Sequence, residues 1–377
     1  MNIHIYPSEL THESRILRIT SALAEANVFD CIEIIGVSSP VLPLIESIDS
    51  KREIVRIPRK FFKGKNGFLF KLIKTIEWSV RVLLYVRKKP LRCINAHSLA
   101  VLPLCAIAAF ITDSRLVYDT HELETETSGF KGFRQKFGRF IERIFIARCD
   151  SIMVVSGSIA DWYQKAYSIP KPTVVRNIPQ FLPPRDVNVS AMRDRLGLSN
   201  NRIVFIYQGG FISGRGIERL LKIFSMQPSV DLLFMGQGPL EPLIKQATNS
   251  YSNIRLIPPV PPEEVLNYTV VADIGICLTD NSCLSHYYSL PNKVFEYLHA
   301  GLPIMVNQLK EQEELVKKYN CGWVASADDL EFLSMLERIN FQLVNEMRSG
   351  ALSASKDLSW DIEKNKLIRA YQENGLA

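Results

Sequence analysis

Short apolar runs of strand character alternate with amphipathic helical patterns along almost the whole chain, and this alternation is the strongest constraint on its fold. Near-continuous apolar strands separated by helices are typical of parallel sheets that are covered on both faces. We predict seven strands in the first 177 residues and six after residue 200. They lie at residues 2–6, 31–37, 53–58, 92–98, 115–121, 151–156 and 173–177, and at residues 202–210, 231–238, 253–260, 273–279, 303–307 and 322–325.

A proline-rich segment, residues 177–190, separates the two series of strands. Because 377 residues are too many for one ordinary core, we predict two doubly wound α/β domains. The predicted boundaries are residues 1–180, residues 181–355 and a closing segment, residues 356–377, in which one amphipathic helix begins after Ser359. Open parallel sheets bind ligands outside the carboxyl ends of their strands, so we expect a site in a central cleft that both domains face.

The composition places the chain among intracellular globular proteins. Seven cysteines are scattered without a CxxC motif, a pattern typical of reduced thiols in the cytosol. The first ten residues lack the charged and apolar regions of a signal peptide. The longest uncharged apolar stretch, residues 99–111, contains a proline and is too short to span a bilayer. We therefore predict a cytoplasmic protein, either soluble or peripheral on the inner face of the membrane.

The net charge of +6 conceals a strong local asymmetry. Residues 51–92 hold 14 lysines and arginines against two glutamates, and residues 131–148 hold six cations against one glutamate. Within the first segment, residues 61–89 interleave cations with large apolar residues at helical spacing. It is either an interfacial helix that meets anionic lipid, a core helix with a basic outer face, or a nucleic-acid-binding element that lacks a recognition module. We favour an anionic membrane surface and predict no nucleic-acid partner.

A glycine-rich turn follows the first strand of the second series. Gly209, Gly210, Gly214 and Gly216 permit a close approach of the backbone to a ligand, and Arg215 stands where the next helix begins. Such a helix start contributes N–H groups and the positive end of a dipole, which suits a phosphate. The dinucleotide pattern GxGxxG and the Walker lysine are both absent.

A second candidate lies in the sequence SLPNKVFEYLHAGLP, residues 289–303. Pro291 suits a first helical position, Ser289 or Asn292 is expected to cap the helix, and Gly301 ends it. Lys293 and Glu296 are three residues apart and share one face of this helix. They form either an exposed ion pair that stabilises the helix slightly or part of a ligand site.

Several independent segments resemble retaining glycosyltransferases of family 4, which have the GT-B fold. Four segments resemble the nucleotide-sugar domain: YQGGFISGRGIERLL, DLLFMGQGP, NIRLIPPVPPEEVLNYTVVADIGICL and SLPNKVFEYLHAGLP. Three resemble the acceptor domain: LVYDTHELETE, RCDSIMVVSGSIADWYQKAY and PTVVRNIP. The terminal LSWDIEKNKLIRAYQ is similar to the helix that closes the family's chain and packs back on the first domain.

The resemblance implies a metal-independent, retaining transfer of a sugar from a UDP- or GDP-type donor to a glycan or lipid-linked acceptor in surface polysaccharide synthesis. It implies no cofactor and no bound metal. The reaction is expected on one face of the sugar, with the donor phosphate assisting, so a pair of catalytic carboxylates is not expected. Two other functions remain open: a sugar-nucleotide epimerase or hydrolase on the same scaffold, and a non-catalytic nucleotide-binding scaffold subunit.

The resemblance also implies roles for residues of the second domain. The glutamate that matches Glu296 accepts hydrogen bonds from both ribose hydroxyls, for which a carboxylate is well suited. The cations that match Lys293 and Arg215 hold the diphosphate as it gains charge. Two positions depart from the common pattern: Tyr288 replaces a second glutamate, and Gly210 replaces an arginine. The remaining predicted donor-binding residues are Gly209, Gly210, Gly216, Gly236, Val260, Ser289 and Leu290.

In the first domain, His121 matches a family histidine near the donor sugar and the acceptor, although a histidine that caps or packs a loop is the alternative. Together with Arg215 and Lys293 it forms the predicted catalytic set. Asp119 and His121 belong to the strand end YDTHE and should lie at the cleft. The predicted acceptor-binding residues are Ser14, Arg15, Asp119 and Glu122.

Overall fold

The structure is a computed structural model that describes residues 1–11, 13–60, 67–181 and 187–376. Its internal contacts divide the chain into two units: Met1–Arg176 with Glu363–Ala377, and Asn177–Ile362. Residues 61–66 of the predicted basic segment and residues 182–186 of the predicted linker lie outside the described residues. Both units are α/β with parallel sheets, as predicted from the alternating pattern.

The first unit is built on an eight-stranded sheet with the strand order β3-β4-β2-β1-β5-β6-β7-β8. Neighbouring strands are parallel except β3, which pairs antiparallel with β4. The exposed β3 is the one strand that the sequence did not predict, because its three residues lie outside the core and show no apolar run. The strands are β1 Asn2–Ile5, β2 Ile32–Val37, β3 Ile45–Ser47, β4 Arg52–Ile57, β5 Cys93–Ala96, β6 Arg115–Asp119, β7 Ser151–Val154 and β8 Thr173–Val174.

The second unit is built on a six-stranded parallel sheet with the strand order β11-β10-β9-β12-β13-β14. Alternate residues of its central strand enter two separate cores: Phe205 and Tyr207 on one face, Val204 and Ile206 on the other. The sheet is therefore covered on both sides, as its apolar strands predict. The strands are β9 Val204–Gly210, β10 Asp231–Gln237, β11 Ile254–Ile257, β12 Ile274–Cys277, β13 Ile304–Val306 and β14 Gly322–Val324.

Fifteen α-helices connect or flank the strands in the described ranges. In the first unit, α3 contacts both α2 and α4. The three helices share one face of the sheet, as expected of right-handed crossovers that run in the same direction across it. The helices are α1 Ser14–Glu25, α2 Phe68–Val86, α3 Leu102–Thr112, α4 Phe133–Ile146, α5 Gly157–Tyr167, α6 Val189–Arg195, α7 Ile217–Met226, α8 Glu241–Ser250, α9 Val265–Thr269, α10 Leu284–Tyr287, α11 Asn292–His299, α12 Lys310–Tyr319, α13 Asp329–Arg338, α14 Phe341–Asp357 and α15 Trp360–Glu373.

Helix α15 is held to the first unit by polar contacts along its length. Lys364 pairs with Glu25 at 2.5 Å, and the Tyr371 hydroxyl donates to the side-chain oxygen of Asn95 at 2.6 Å. The buried Glu363 accepts a hydrogen bond from the backbone N–H of Arg176 at 2.8 Å. These contacts explain why the last residues of the chain belong to the same compact unit as its first residues.

Helix α11 begins and ends close to the predicted positions, but its capping differs from the prediction. Pro291 is the N-cap residue, and no side chain caps the helix. The Ser289 hydroxyl instead donates to the carbonyl oxygen of His286 at 2.8 Å, so the prediction that Ser289 or Asn292 caps α11 is wrong. Gly301 adopts a positive φ of 70° just beyond the helix, which is the expected conformation of a terminating glycine.

Candidate active site

A pocket of about 400 Å³ lies at the carboxyl ends of β9 and β10 in the second unit. Five of the predicted donor-binding residues line it: Gly209, Gly210, Gly236, Val260 and Glu296. The two strand ends approach so closely that a Cβ atom on Gly236 would lie 2.1 Å from the carbonyl oxygen of Gly209. Glycine is therefore required at residue 236, and the strand ends form a narrow wall of exposed backbone.

Lys293 lies against the end of β9. Its Nζ atom is 3.6 Å from the centroid of the Tyr207 ring and 3.6 Å from the position that a Cβ atom on Gly209 would occupy. Burial lowers the pKa of Lys293 to about 8; Arg215 also lowers it, and Glu296 raises it. The site thus contains a cation whose surroundings only partly compensate its charge, an arrangement that suits a phosphate.

Glu296 lies one turn farther along α11 and is oriented from β9. The Gln208 side-chain amide donates to the Glu296 carboxylate, and the Gln208 side-chain oxygen accepts from the Thr269 hydroxyl at 2.9 Å. Because an ionised carboxylate only accepts, the nitrogen end of the Gln208 amide must face Glu296, which leaves its oxygen end beside the Thr269 hydroxyl. This chain of contacts holds one carboxylate oxygen of Glu296 at the pocket wall.

The start of α7 carries the second predicted cation. Gly216 is the N-cap residue of this helix, with a φ of 77°, and no side chain caps the first turn. A Cβ atom on Gly216 would lie 2.3 Å from the carbonyl oxygen of Leu278, so only glycine fits there. Arg215 is half-buried, and its charge is close enough to lower the pKa of Lys293. The structure therefore brings the two predicted cations into one electrostatic environment.

The residues just before α11 are not among those that line the pocket. Ser289 and Leu290 are half-buried. The backbone N–H of Ser289 already donates to the carbonyl oxygen of His286 at 3.1 Å, and its own carbonyl accepts from Gln312 at 3.2 Å. A ligand contact with the Ser289 amide would therefore have to replace an existing hydrogen bond. Tyr288, which replaces the second family glutamate, lies beside Lys310, whose Nζ atom is 5.7 Å from the ring centroid.

In the first unit, His121 lies at the edge of a buried polar network. Its Nε2 atom is 3.2 Å from Nδ1 of His97 and 3.5 Å from Oδ2 of Asp119, and its ring stacks on Tyr6. Asp119 also receives two hydrogen bonds from the guanidinium of Arg15, at 3.0 and 2.5 Å. The predicted acceptor residues Arg15 and Asp119 are thus buried and paired with each other, beneath the partly exposed His121.

Electrostatics determine the direction of the hydrogen bonds in this network. Burial alone would raise the pKa of Asp119, but Arg15 and the hydrogen bonds from His121 and His97 outweigh it and hold the pKa well below its usual range. An ionised Asp119 only accepts, so Nδ1 of His97, 3.0 Å away, carries the proton. Nε2 of His97 then accepts from Nδ1 of His4 at 2.8 Å. Burial lowers the pKa values of His97 and His4, which keeps both rings neutral.

The other two predicted acceptor residues are exposed. Ser14 is the first residue of α1, and Glu122 follows His121 in the loop after β6. Both side chains are therefore accessible to a ligand of the first unit.

Residues 16–178 match the family model described as Glycosyltransferase Family 4. This match covers most of the unit that contains the His121 network, in the part of the chain whose motifs carry the resemblance. The chain is a glycosyltransferase whose residues 16–178 match family 4. No curated protein matches the chain in sequence.

Solved structures show that this glycosyltransferase has the GT-B fold over its whole length. Sucrose-phosphate synthase (tll1590) from Thermosynechococcus elongatus is 14% identical with a TM-score of 0.77, covering 99% of this chain and 98% of that one. Anabaena Alr3699/HepE, solved in complex with UDP-glucose, is 13% identical with a TM-score of 0.73 and 99% coverage of both chains. WaaG, a glycosyltransferase involved in lipopolysaccharide biosynthesis, is 14% identical with a TM-score of 0.69 and 99% coverage of both chains. At these identities the likeness shows the fold alone.

Sequence reasoning missed three residues of this glycosyltransferase that orient predicted site residues: Gln208 beside Glu296, and His97 and His4 behind His121. Gln208 directly precedes the glycine pair that was singled out, and His97 stands at the end of a predicted strand. For Gln208 and His97 this position was the available signal, whereas His4 lies within β1. Their partners are 88, 24 and 93 residues away in the chain, so the pairings themselves were not readable from local patterns.

His97, Asp119 and His121 also form a group whose potential metal-ligand atoms all lie within 4.8 Å of one another. Sequence analysis predicted no metal. Both carboxylate oxygens of Asp119 accept hydrogen bonds from Arg15, so a divalent cation there would have to compete with a buried guanidinium. The arrangement fits an ion pair that orients two histidines better than it fits a cation site.

Proposed function

We propose that this glycosyltransferase transfers a sugar, with retention of configuration and without a metal ion, from a UDP- or GDP-type donor to a glycan or lipid-linked acceptor in surface polysaccharide synthesis. The observation that carries the proposal is the joint position of Lys293 and Glu296 on one face of α11, against the glycine-lined end of β9. Fixed cations suit a diphosphate, and a carboxylate suits the diol of a ribose.

Fixed groups of the chain would supply what the leaving nucleotide needs. Lys293, Arg215 and the N-terminus of α7 are proposed to stabilise the charge that develops on the diphosphate as the glycosidic bond breaks. His121 is proposed to contact the transferred sugar. HepE, a structural neighbour, was solved in complex with UDP-glucose, which supports a nucleotide-sugar donor for this chain.

Nucleotide binding and turnover test this function directly. A thermal-shift panel of UDP, GDP, ADP and CDP should show stabilisation by one nucleotide, because a ligand of the native state raises the unfolding temperature by mass action. With the matching nucleotide-sugar, release of nucleotide should depend on an added acceptor. Equal consumption of donor without acceptor would favour the hydrolase or epimerase. Binding without any turnover would favour the scaffold subunit.

The buried network behind His121 gives a prediction for a positioning residue. Replacing His97 by glutamine removes the ring that contacts both Asp119 and His121, and should lower kcat by about tenfold or more with little change in the donor KM. The matched control is His299→Gln, since His299 is a half-buried histidine of the second unit that donates to the carbonyl of Leu358 at 2.9 Å. An unchanged kcat for the His97 variant, or an equal loss in the control, would contradict the prediction.

We further propose that the basic segment, residues 51–92, places the enzyme on an anionic membrane surface in the cytoplasm. No helix in the described ranges has the length and hydropathy needed to cross a bilayer. Cations near a surface of anionic lipid each contribute about 1 kcal/mol of binding free energy. The protein should float with phosphatidylglycerol-containing liposomes at physiological salt and should be released at high salt. Recovery in the bottom fraction at physiological salt would refute membrane binding.

A further inference from the structure

Helix α4 carries an apolar stripe on its outward face. The stripe residues are three or four positions apart, so they align along the helix, and the buried residues Gly138 and Glu142 lie on the opposite side. A helix that faces only water normally presents polar residues there. The stripe consists of Phe133, Phe137, Phe140 and Ile144, which are 81%, 54%, 57% and 41% exposed.

Helix α2 repeats this pattern. Its buried face contains Trp78, Val82 and Val86, yet its outward face is also apolar. The outward residues are Leu69, Leu72, Ile76, Val80 and Leu84, each between 47% and 63% exposed. Helix α3 contacts both α2 and α4 and adds Phe110, which is 83% exposed. The three helices therefore share one extended apolar surface, and a contiguous surface of this kind marks an interaction site.

A cavity of about 750 Å³ opens in this surface, a volume typical of sites for small ligands. Its walls are mostly apolar and include Leu72, Pro103, Phe133, Phe137 and Ile141. A long hydrocarbon chain would bury its surface against such walls, whereas a polar ligand would lose hydration and find only two charged side chains, Glu124 and Arg134, in the wall.

The position of the cavity links it to the predicted acceptor region. Two of its lining residues, Leu99 and Ala100, closely follow β5, and a third, Glu124, closely follows β6. His97 and His121 follow the same two strands at the same edge of the sheet. A molecule whose tail occupied the cavity would therefore have its head group near His121.

Glu124 is the one acidic residue in the cavity wall. Burial and the neighbouring Glu122 raise the pKa of Glu124 to about 8. The carboxyl group is therefore protonated at neutral pH, which removes the main obstacle to an apolar occupant.

The charges around the surface favour an anionic partner. Helices α2 and α4 each contain a single acidic residue. Glu77 is paired with Arg81 at 2.8 Å, and Glu142 is buried beneath three tyrosine hydroxyls. The exposed cations of these helices include Lys71, Arg134 and Lys136. A second copy of the chain would bring like charges together, whereas an anionic lipid supplies both hydrocarbon and negative charge.

We propose that the cavity between α2, α3 and α4 binds the hydrocarbon chain of a lipid-linked acceptor, with the surrounding apolar surface resting in an anionic bilayer. This inference rests on the proposed function and deepens it, because it names the lipid chain as the part of the acceptor that the first unit recognises. The anionic head group then lies at the carboxyl ends of β5 and β6, beside His121.

Binding of a monomeric lipid probe tests the cavity. The probe is cis-parinaric acid, a fluorescent fatty acid, and the competitor is an isoprenyl phosphate. We expect saturable fluorescence with the full-length protein and displacement by the competitor. Ala100→Trp, which fills the cavity from an exposed position, and Phe137→Ser, which removes an apolar wall, should each weaken probe binding at least tenfold. Phe110→Ser lies on the same apolar surface but outside the cavity, and should change probe affinity less than twofold.

Each result has a defined meaning. No saturable binding, no displacement by isoprenyl phosphate, or equal effects of the cavity and control variants would overturn the proposal. So would a concentration-dependent dimer that Phe137→Ser dissociates, since a second copy would then cover the surface. Nucleotide stabilisation measured on the same variants should be unchanged and reports folding. If the nucleotide panel fails while the lipid results hold, the proposed donor fails and the lipid site stands.

Discussion

Replacing Lys293 by methionine should lower kcat/KM for the nucleotide-sugar by about 100-fold to 1,000-fold, the usual cost of removing one group that stabilises developing charge. Methionine preserves most of the side-chain volume against Tyr207 but carries no charge. The loss should appear mainly in kcat, because the charge of the diphosphate grows as the glycosidic bond breaks. Steady-state kinetics with the donor identified by the thermal-shift panel provide the measurement.

The same substitution should raise the thermal stability of the nucleotide-free enzyme. The folded-state pKa of Lys293, about 8, is lower than its ordinary value of 10.5, so the fold disfavours the charged form. This cost sets in as the pH falls below 10.5 and is fully present below about 8, where removing the charge relieves it. Activity and stability should therefore change in opposite directions, as expected for a group retained for function. A variant that loses both would indicate a merely structural role.

The pH dependence follows from the same ammonium group. As the pH rises through about 8, Lys293 loses its proton and nucleotide affinity should fall, whereas the methionine variant should show no such decline near pH 8. Lys222→Met is the matched control, because Lys222 is an exposed lysine of the same unit that pairs with Asp329 at 2.7 Å. Nucleotide affinity that is flat between pH 7 and pH 9 in the unmodified enzyme would contradict this role.

The second large effect is expected at Glu296. Its replacement by alanine should weaken nucleotide binding by about tenfold to 100-fold, since a hydrogen bond to a charged group contributes about 1.5–3 kcal/mol. Glutamine at residue 296 should not restore nucleotide binding. The nitrogen end of the Gln208 amide faces residue 296, and its oxygen end faces the Thr269 hydroxyl. A glutamine at residue 296 would turn its oxygen toward Gln208 and present an NH₂ group to the ribose.

A double-mutant cycle with a 2′-deoxynucleotide isolates the ribose contact. Removing the 2′-hydroxyl should weaken binding to the unmodified enzyme but add little to the loss in the Glu296 variants, because the two changes remove the same interaction. Glu313→Gln is the control, as Glu313 forms an exposed pair with Lys317 at 2.6 Å. Calorimetry measures all affinities. Additive effects of the two changes would show that Glu296 does not contact the ribose.

Much of the fold was predictable from local patterns. All thirteen predicted strands are present within a few residues of the predicted ends, since a buried parallel strand appears as a short apolar run. The exception is β3, an exposed strand that pairs antiparallel with β4. It has no apolar run by which the sequence could reveal it. The N-cap of α11 was mispredicted for a related reason. The Ser289 hydroxyl donates to the carbonyl oxygen of His286 and does not accept from an N–H of the first turn of α11, and local sequence does not show this choice of partner.

The sequence by itself determined the two series of strands, the glycine turn before α7 and the common helix face of Lys293 and Glu296, because each depends on residues close together in the chain. Only the tertiary structure decides how these side chains are oriented and how far their surroundings shift their pKa values. Gln208 meets Glu296, His4 meets His97, and burial lowers the pKa of Lys293. The cavity between α2, α3 and α4 is likewise decided only by the tertiary structure. It exists only where separate helices pack on one face of a sheet, and no single segment of sequence encodes the space between them.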